Sequence, residues 1–134
     1  MNEYVFIVCT HGKFGEELVK SAEMIAGKMN NVFSISLNQG IGPDDYRNQL
    51  EEVLKTLDGK IGICIVDLFG GTPFSCAAHL SQNYDIEILT GLNLAMFLEM
   101  HSQASYLNRE ELVACGLTTL AESGKNVLSL MKGE

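Results

Sequence analysis

Ile61-Gly62-Ile63-Cys64-Ile65-Val66-Asp67-Leu68-Phe69-Gly70-Gly71-Thr72-Pro73-Phe74 is the stretch that decides how this chain folds. Its first six residues are apolar or small with no alternation, which predicts a strand covered on both faces. The carboxylate, the glycine pair and the proline that follow predict a tight loop with a helix starting at Pro73 and running through Phe74, Ala77, Ala78 and Leu80. A strand that feeds directly into a helix is half of a parallel βαβ unit.

The rest of the chain repeats that unit. Residues 4–9 form an almost wholly apolar strand. Thr10-His11-Gly12 then leads into a helix with Phe14, Leu18, Ala22, Ile25, Ala26 and Met29 at helical spacing. Residues 32–37 alternate as a strand, and Pro43, Tyr46, Leu50, Val53, Leu54 and Leu57 mark a second amphipathic helix that Asp58-Gly59 closes. Residues 86–89 make a short fourth strand, separated by Gly91 and Asn93 from a helix carrying Leu94, Phe97, Leu98 and His101. Asn108-Arg109-Glu110-Glu111 resembles a capping box with Asn in place of Ser or Thr. It opens a last helix predicted to run through Val113, Leu117, Leu120, Val127, Leu128 and Met131, weakened at Gly116 and Gly124.

The expected fold class is therefore α/β: a doubly wound, mainly parallel sheet of strand order 2-1-3-4 with helices on both faces. Ligands of such sheets bind beyond the carboxyl ends of the strands, where the winding reverses. His11 follows strand 1 and Asp67 ends strand 3, so the two flank that point.

Composition narrows the function. The 134 residues, with only two prolines and no low-complexity tract, predict a single domain over 1–134. A net charge of −8, with nine basic residues scattered from Lys13 to Lys132, excludes a nucleic-acid partner, because phosphate backbones are bound by clustered Lys and Arg. The cysteines Cys9, Cys64, Cys76 and Cys115 show no Cys-x-x-Cys spacing, and no histidines stand at zinc-ligand intervals. They read as reduced, buried thiols, and no metal site is expected. The first apolar run is too short for a signal-peptide core, and no stretch approaches the roughly 18 apolar residues of a membrane span, so the expected location is cytoplasmic.

His11 is the candidate nucleophile. A lone histidine is by default a core or loop residue, but this one stands just past a strand end beside Gly12, which leaves the backbone open to another molecule. One unprotonated ring nitrogen can attack, and the other, as N–H, needs an acceptor that fixes the tautomer. Asp67 is the natural acceptor. Gly12, Gly70, Gly71 and Thr72 are the candidate phosphate-binding residues: the glycines and the Thr72 hydroxyl can face an anion, and a helix entrance at Pro73 favours a phosphoryl group. A plain strand-to-helix turn also uses Gly, Thr and Pro; the closeness to Asp67 is what raises the motif above that reading. It lacks the Gly-Lys-Ser/Thr ending of a P-loop and is not Gly-x-Gly-x-x-Gly. The combination suits a histidine that holds a phosphoryl group reversibly, with no metal, nucleotide or other cofactor. His79 and His101 read as surface or interface residues. Among the methionines at 1, 24, 29, 96, 100 and 131, most read as core filler, with Met96 and Met100 candidates for bordering a docking surface.

Thr10-His11-Gly12 behind an N-terminal strand, Val66-Asp67-Leu68-Phe69-Gly70-Gly71-Thr72-Pro73-Phe74 behind a later one, and Thr90-Gly91-Leu92-Asn93 after the fourth together resemble the mannose-class IIA domain of the bacterial phosphoenolpyruvate-dependent sugar phosphotransferase system. The resemblance covers essentially the whole chain. It implies that His11 takes a phosphoryl group on Nε2 from the phosphocarrier protein HPr and passes it to a histidine of a IIB subunit. It also implies that Asp67 orients Nδ1 and that the Gly71-Thr72 region holds the phosphate. Some family members have Ser at the position of Thr72, which keeps the hydroxyl. An end at Glu134, without the linker and IIB domain fused in some members, implies a separate IIB polypeptide, indirect association with membrane IIC and IID subunits, and a homodimer as in many relatives. The transported sugar is not readable from these residues.

Other functions share parts of the pattern. Histidine phosphatases also place a His-Gly pair after the first strand but need an arginine immediately before it, where this chain has Thr10, and its only arginines are Arg47 and Arg109. The dihydroxyacetone kinase phosphotransferase subunit is a closer alternative, although the Asp-Leu-Phe-Gly-Gly-Thr-Pro run favours the sugar-transport branch. A phosphorylatable signalling module would use the same residues and differ only in its acceptor.

Overall fold

The computed structural model describes residues 3–133; Met1, Asn2 and Glu134, which the predicted domain includes, lie outside the described residues. The elements run β1 (Tyr4–His11), α1 (Phe14–Ala26), β2 (Val32–Leu37), α2 (Pro43–Leu54), β3 (Ile61–Val66), α3 (Gly71–Leu80), β4 (Ile86–Thr90), α4 (Leu94–Gln103), α5 (Arg109–Ser123) and α6 (Val127–Met131). The strands form one sheet of order β2-β1-β3-β4, and every neighbouring pair is parallel. This is the doubly wound α/β arrangement expected, with β1 and β3 adjacent at the reversal.

Each face of the sheet has its own core. Phe6, Val8, Ile63 and Ile65 pack with Leu18 and Ala22 of α1, Met96, Phe97 and Met100 of α4, and Leu112 of α5. On the other face Ile7, Cys9, Cys64 and Val66 pack with Tyr46, Leu50 and Leu54 of α2 and Cys76, Ala77 and Leu80 of α3. All six residues of β3 are buried, which is why that strand is a continuous apolar run rather than an alternating one.

Several expectations are corrected. β1 continues two residues past Cys9, because Thr10 and His11 pair with Ser36 and Leu37 of β2. Helix α3 begins at Gly71 rather than Pro73, so the two residues before the proline belong to its first turn. The last helix is two: α5 stops at Ser123, Gly124 is extended (φ −85°, ψ 122°), and the Asn126 side chain caps α6 by accepting from the Ser129 amide. Gly124 is a poor helix former and Asn126 a good cap, so the chain restarts there instead of continuing. The Asn108–Glu111 capping box is formed in both directions. Met96 and Met100 are fully buried and cannot border a docking surface.

Among the cysteines, all four are free; Cys9, Cys64 and Cys76 are buried while Cys115 is half-buried. No helix among the described residues is long and apolar enough to cross a membrane.

Candidate functional site

The β1–β3 pairing ends at Cys9 and Val66, whereas β1–β2 pairing runs on to His11 and Leu37. On its β3 side, His11 therefore has no ladder partner. Its backbone N–H donates instead to Asp67 Oδ2 at 2.9 Å, and its ring Nδ1 lies 3.0 Å from the same oxygen. A carboxylate only accepts, so Nδ1 carries the hydrogen and Nε2 keeps its lone pair. The His11 side chain is 45% exposed and that of Asp67 11%. Asp67 Oδ1 is buried without a hydrogen-bond partner among the described residues. A carboxylate so poorly solvated favours any donor or positive charge brought against its other oxygen.

Nε2 faces the start of α3. Gly70 and Gly71 have φ of +116° and +85°, a region that side chains disfavour. A Cβ on Gly71 would lie 3.1 Å from His11 Cε1 and 3.3 Å from Nε2, filling the space in front of that nitrogen. No side chain caps α3, and Pro73 has no N–H. The first-turn amides of Gly71 and Thr72, with the positive end of the helix dipole, are the donors this end offers an anion.

Gly12 plays a different part from the other glycines. Its φ is +57° and its amide donates to Leu37 O at 2.8 Å. What it offers is open space, since nothing lies within 4 Å of where its Cβ would be. Cys9 and Tyr46 are buried in the core on the α2 and α3 face. The Cys9 thiol is pushed well above its ordinary range, first by the neighbouring Cys64 thiol and then by burial. Burial likewise raises the Tyr46 phenol, whose hydroxyl donates to Ile35 O at 2.8 Å.

Two features escape sequence reasoning. Leu68 and Phe69, spacers in the motif, are 60% and 83% exposed, and the Phe69 ring tilts on Phe74 with centroids 4.9 Å apart. Large apolar residues in a loop that the fold cannot bury are the signal that could have found them. The other is the position of His101, half-buried between Phe6 and Phe97 rather than on the surface, with Nε2 2.9 Å from Asn31 Oδ1. His79 is exposed on α3. Among the described residues no group of three or more His, Cys, Asp or Glu converges as a metal site would require.

His11 and Asp67 line neither the concavity of ≈ 590 Å³ at the amino end of the sheet, bounded by Tyr4, Asn31, Phe33, Lys60 and His101, nor the groove of ≈ 390 Å³ between Phe14, Leu18 and Leu92. They stand on an open edge.

Residues 5–115 match the family described as "PTS system fructose IIA component". The chain is 29% identical over 109 residues to the PTS system fructose-specific EIIA component of Bacillus subtilis, covering 80% of this chain and 75% of that protein. It is 30% identical over 122 residues to the PTS system mannose-specific EIIAB component of Escherichia coli K12, covering 89% of this chain but 38% of the longer relative. The crystal structure of phosphotransferase system component EIIA from Streptococcus agalactiae superposes with a TM-score of 0.87 at 31% identity, over 94% of this chain and 98% of that one.

Proposed function

We infer that this chain, which belongs to the mannose-class IIA family of the phosphoenolpyruvate-dependent sugar phosphotransferase system, is a phosphocarrier that takes a phosphoryl group from phospho-HPr on His11 and passes it to a histidine of a IIB subunit. Residues 1–134 act as one such domain, in the cytoplasm, as a homodimer that reaches the membrane IIC and IID subunits only through IIB. The observation that carries the reading is the double claim of His11 on Asp67 Oδ2, through backbone N–H and Nδ1, which leaves Nε2 as the free nucleophile in front of α3.

The transfer balances without a metal or nucleotide. The Nε2 lone pair attacks phosphorus, the phosphorus–nitrogen bond of the donor breaks, and its electron pair returns to the donor ring. His11, now bearing hydrogen on Nδ1 and the phosphoryl group on Nε2, is positively charged, and Asp67 balances that charge. The Gly71 and Thr72 amides, with the Thr72 hydroxyl, face the phosphoryl oxygens, while Gly12 and Gly70 leave the approach clear. Delivery to IIB is the same displacement run forward with His11 as donor. The open edge supports a protein donor, since small molecules are usually held in concave sites. The exposed Leu68 and Phe69 give such a partner an apolar contact.

Incubation with phosphoenolpyruvate, enzyme I and HPr, followed by intact-mass measurement, tests this. We expect one acid-labile phosphoryl adduct that disappears in His11→Ala and persists in His79→Ala and His101→Ala. Adding a cognate IIB protein should then discharge it, an outcome that separates a transport component from a signalling module. An unchanged adduct in His11→Ala overturns the assignment.

A further inference from the structure

Thr10, the residue before the histidine, is fully buried. Helix α1 has no side-chain cap at its own N-cap position, Lys13. The Thr10 hydroxyl serves instead: Oγ1 accepts the Gly15 N–H at 2.9 Å and donates to the Gly12 carbonyl at 3.4 Å. Position 15 is tight, since a Cβ there would lie 3.0 Å from Thr10 Oγ1 and Cγ2 and 3.1 Å from Val8 Cγ2, so a side chain would press on the hydroxyl. One hydroxyl thus ties together both sides of the turn that carries the chain from His11 into α1.

That tie bears on the ring. Both donors of His11 converge on a single oxygen, which requires one particular placement of the His11 backbone. On the β2 side the Gly12 amide bond to Leu37 holds that placement, but on the β3 side no ladder bond reaches beyond Cys9 and Val66. We propose that Thr10 is a positioning residue for transfer: by fixing the turn after His11 it keeps Nδ1 on Asp67 Oδ2 and Nε2 in front of Gly71. The proposal rests on His11 as the phosphoryl acceptor. A plain helix cap would affect stability alone.

Two readouts distinguish these roles: the tautomer of His11 by NMR of protein labelled with nitrogen-15 histidine, and the rate of phosphorylation by HPr. Thr10→Val keeps the shape and removes the hydroxyl. It should move His11 from a single Nδ1–H tautomer to a mixture and lower the rate at saturating HPr by ~10- to 100-fold, as small misplacements of a reacting group do. The KM for HPr should stay within about twofold, and Thr10→Ser should restore both tautomer and rate. A wild-type tautomer and rate in Thr10→Val, or no rescue by Thr10→Ser, overturns the proposal. Should Thr10→Val fail to fold, Gly15→Ala decides, because it keeps the hydroxyl but presses a methyl against it in a backbone that accepts alanine. A mixed tautomer there supports the role, and an unchanged one overturns it. The tautomer arm needs no phosphoryl donor, so it answers even if His11 proves not to be the acceptor.

Discussion

His11 and His101 stand at opposite ends of the same sheet, and their partners set them apart. At the carboxyl end, His11 is nearly half exposed and held by a carboxylate whose other oxygen is buried and unpartnered. At the amino end, the His101 ring is packed on Phe6 and Phe97 and held by the neutral amide of Asn31. Burial lowers the pKa of His101 from its ordinary 6.5, keeping that ring neutral. A positive charge formed on His11 meets a compensating one, whereas on His101 it would meet an amide and two phenyl rings. The concavity of ≈ 590 Å³ lies beside the inert ring, not the candidate nucleophile. Hollow space is a poor guide here to chemistry.

The most severe test of this contrast lies at the helix entrance that only His11 faces. Gly71→Val forces a β-branched residue into φ +85° and sets its Cβ 3.1 Å from the His11 ring. Phosphorylation by HPr, measured on protein shown to be folded by circular dichroism, should fall by ~100-fold or more. Wild-type rates would mean that the phosphoryl group is held elsewhere.

Asp67→Asn gives His11 the kind of partner that His101 has. Size is retained, but the charge that selects the Nδ1–H tautomer and balances the phosphorylated ring is lost, so we expect a ~10- to 100-fold slower transfer with unchanged circular dichroism. An unaffected rate would reduce Asp67 to a structural role and dissolve the comparison.

The smallest effect belongs to the amino end. The unfolded His101 ring takes up a proton near 6.5 while the folded ring resists, so the unfolded state binds more protons as the pH falls. Its contribution to stability is present above about 6.5 and declines below it, levelling off once the folded ring is also protonated. His101→Gln keeps a donor for Asn31, should cost ~1 kcal/mol of ring packing at neutral pH, and should flatten the decline in melting temperature between neutral and mildly acidic pH. An equally steep decline in the variant would place the titrating group elsewhere.

Much of the architecture was legible where one signal dominated. The bounds of β2 follow from its alternation and those of β3 from its apolar run, with the turn residues around them, and the Asn108–Glu111 box marked the start of α5 correctly. Pro73 does not fix the start of α3, because it fits the first turn of a helix at more than one position and the glycines before it have the composition of a loop. The continuous apolar spacing through Met131 hid the restart at Asn126, because hydrophobic period does not register a change of helix axis. At the candidate site, residue types and spacing brought His11, Asp67 and the glycines into view. What could not be read was how backbone groups are allocated. The Gly12 amide belongs to the β2 ladder, the His11 amide goes to a side chain, and Thr10 caps a helix from outside it. Each of those depends on where one ladder stops and another continues, which is a property of paired strands and not of either strand alone.

The bond from the His11 amide to Asp67 spans 56 positions of sequence, with α1, β2 and α2 between the two residues. Contacts this distant form late, after the chain entropy of a long closure has been overcome. A chain emerging from the ribosome as far as β2 already carries His11 but not the oxygen that orients it. Until β3 docks beside β1, that imidazole samples both tautomers as it would in any unstructured peptide. On the proposed reading of His11, a donor that depends on one tautomer would discriminate finished molecules from nascent ones, and uptake of a phosphoryl group would report that the long-range topology is complete.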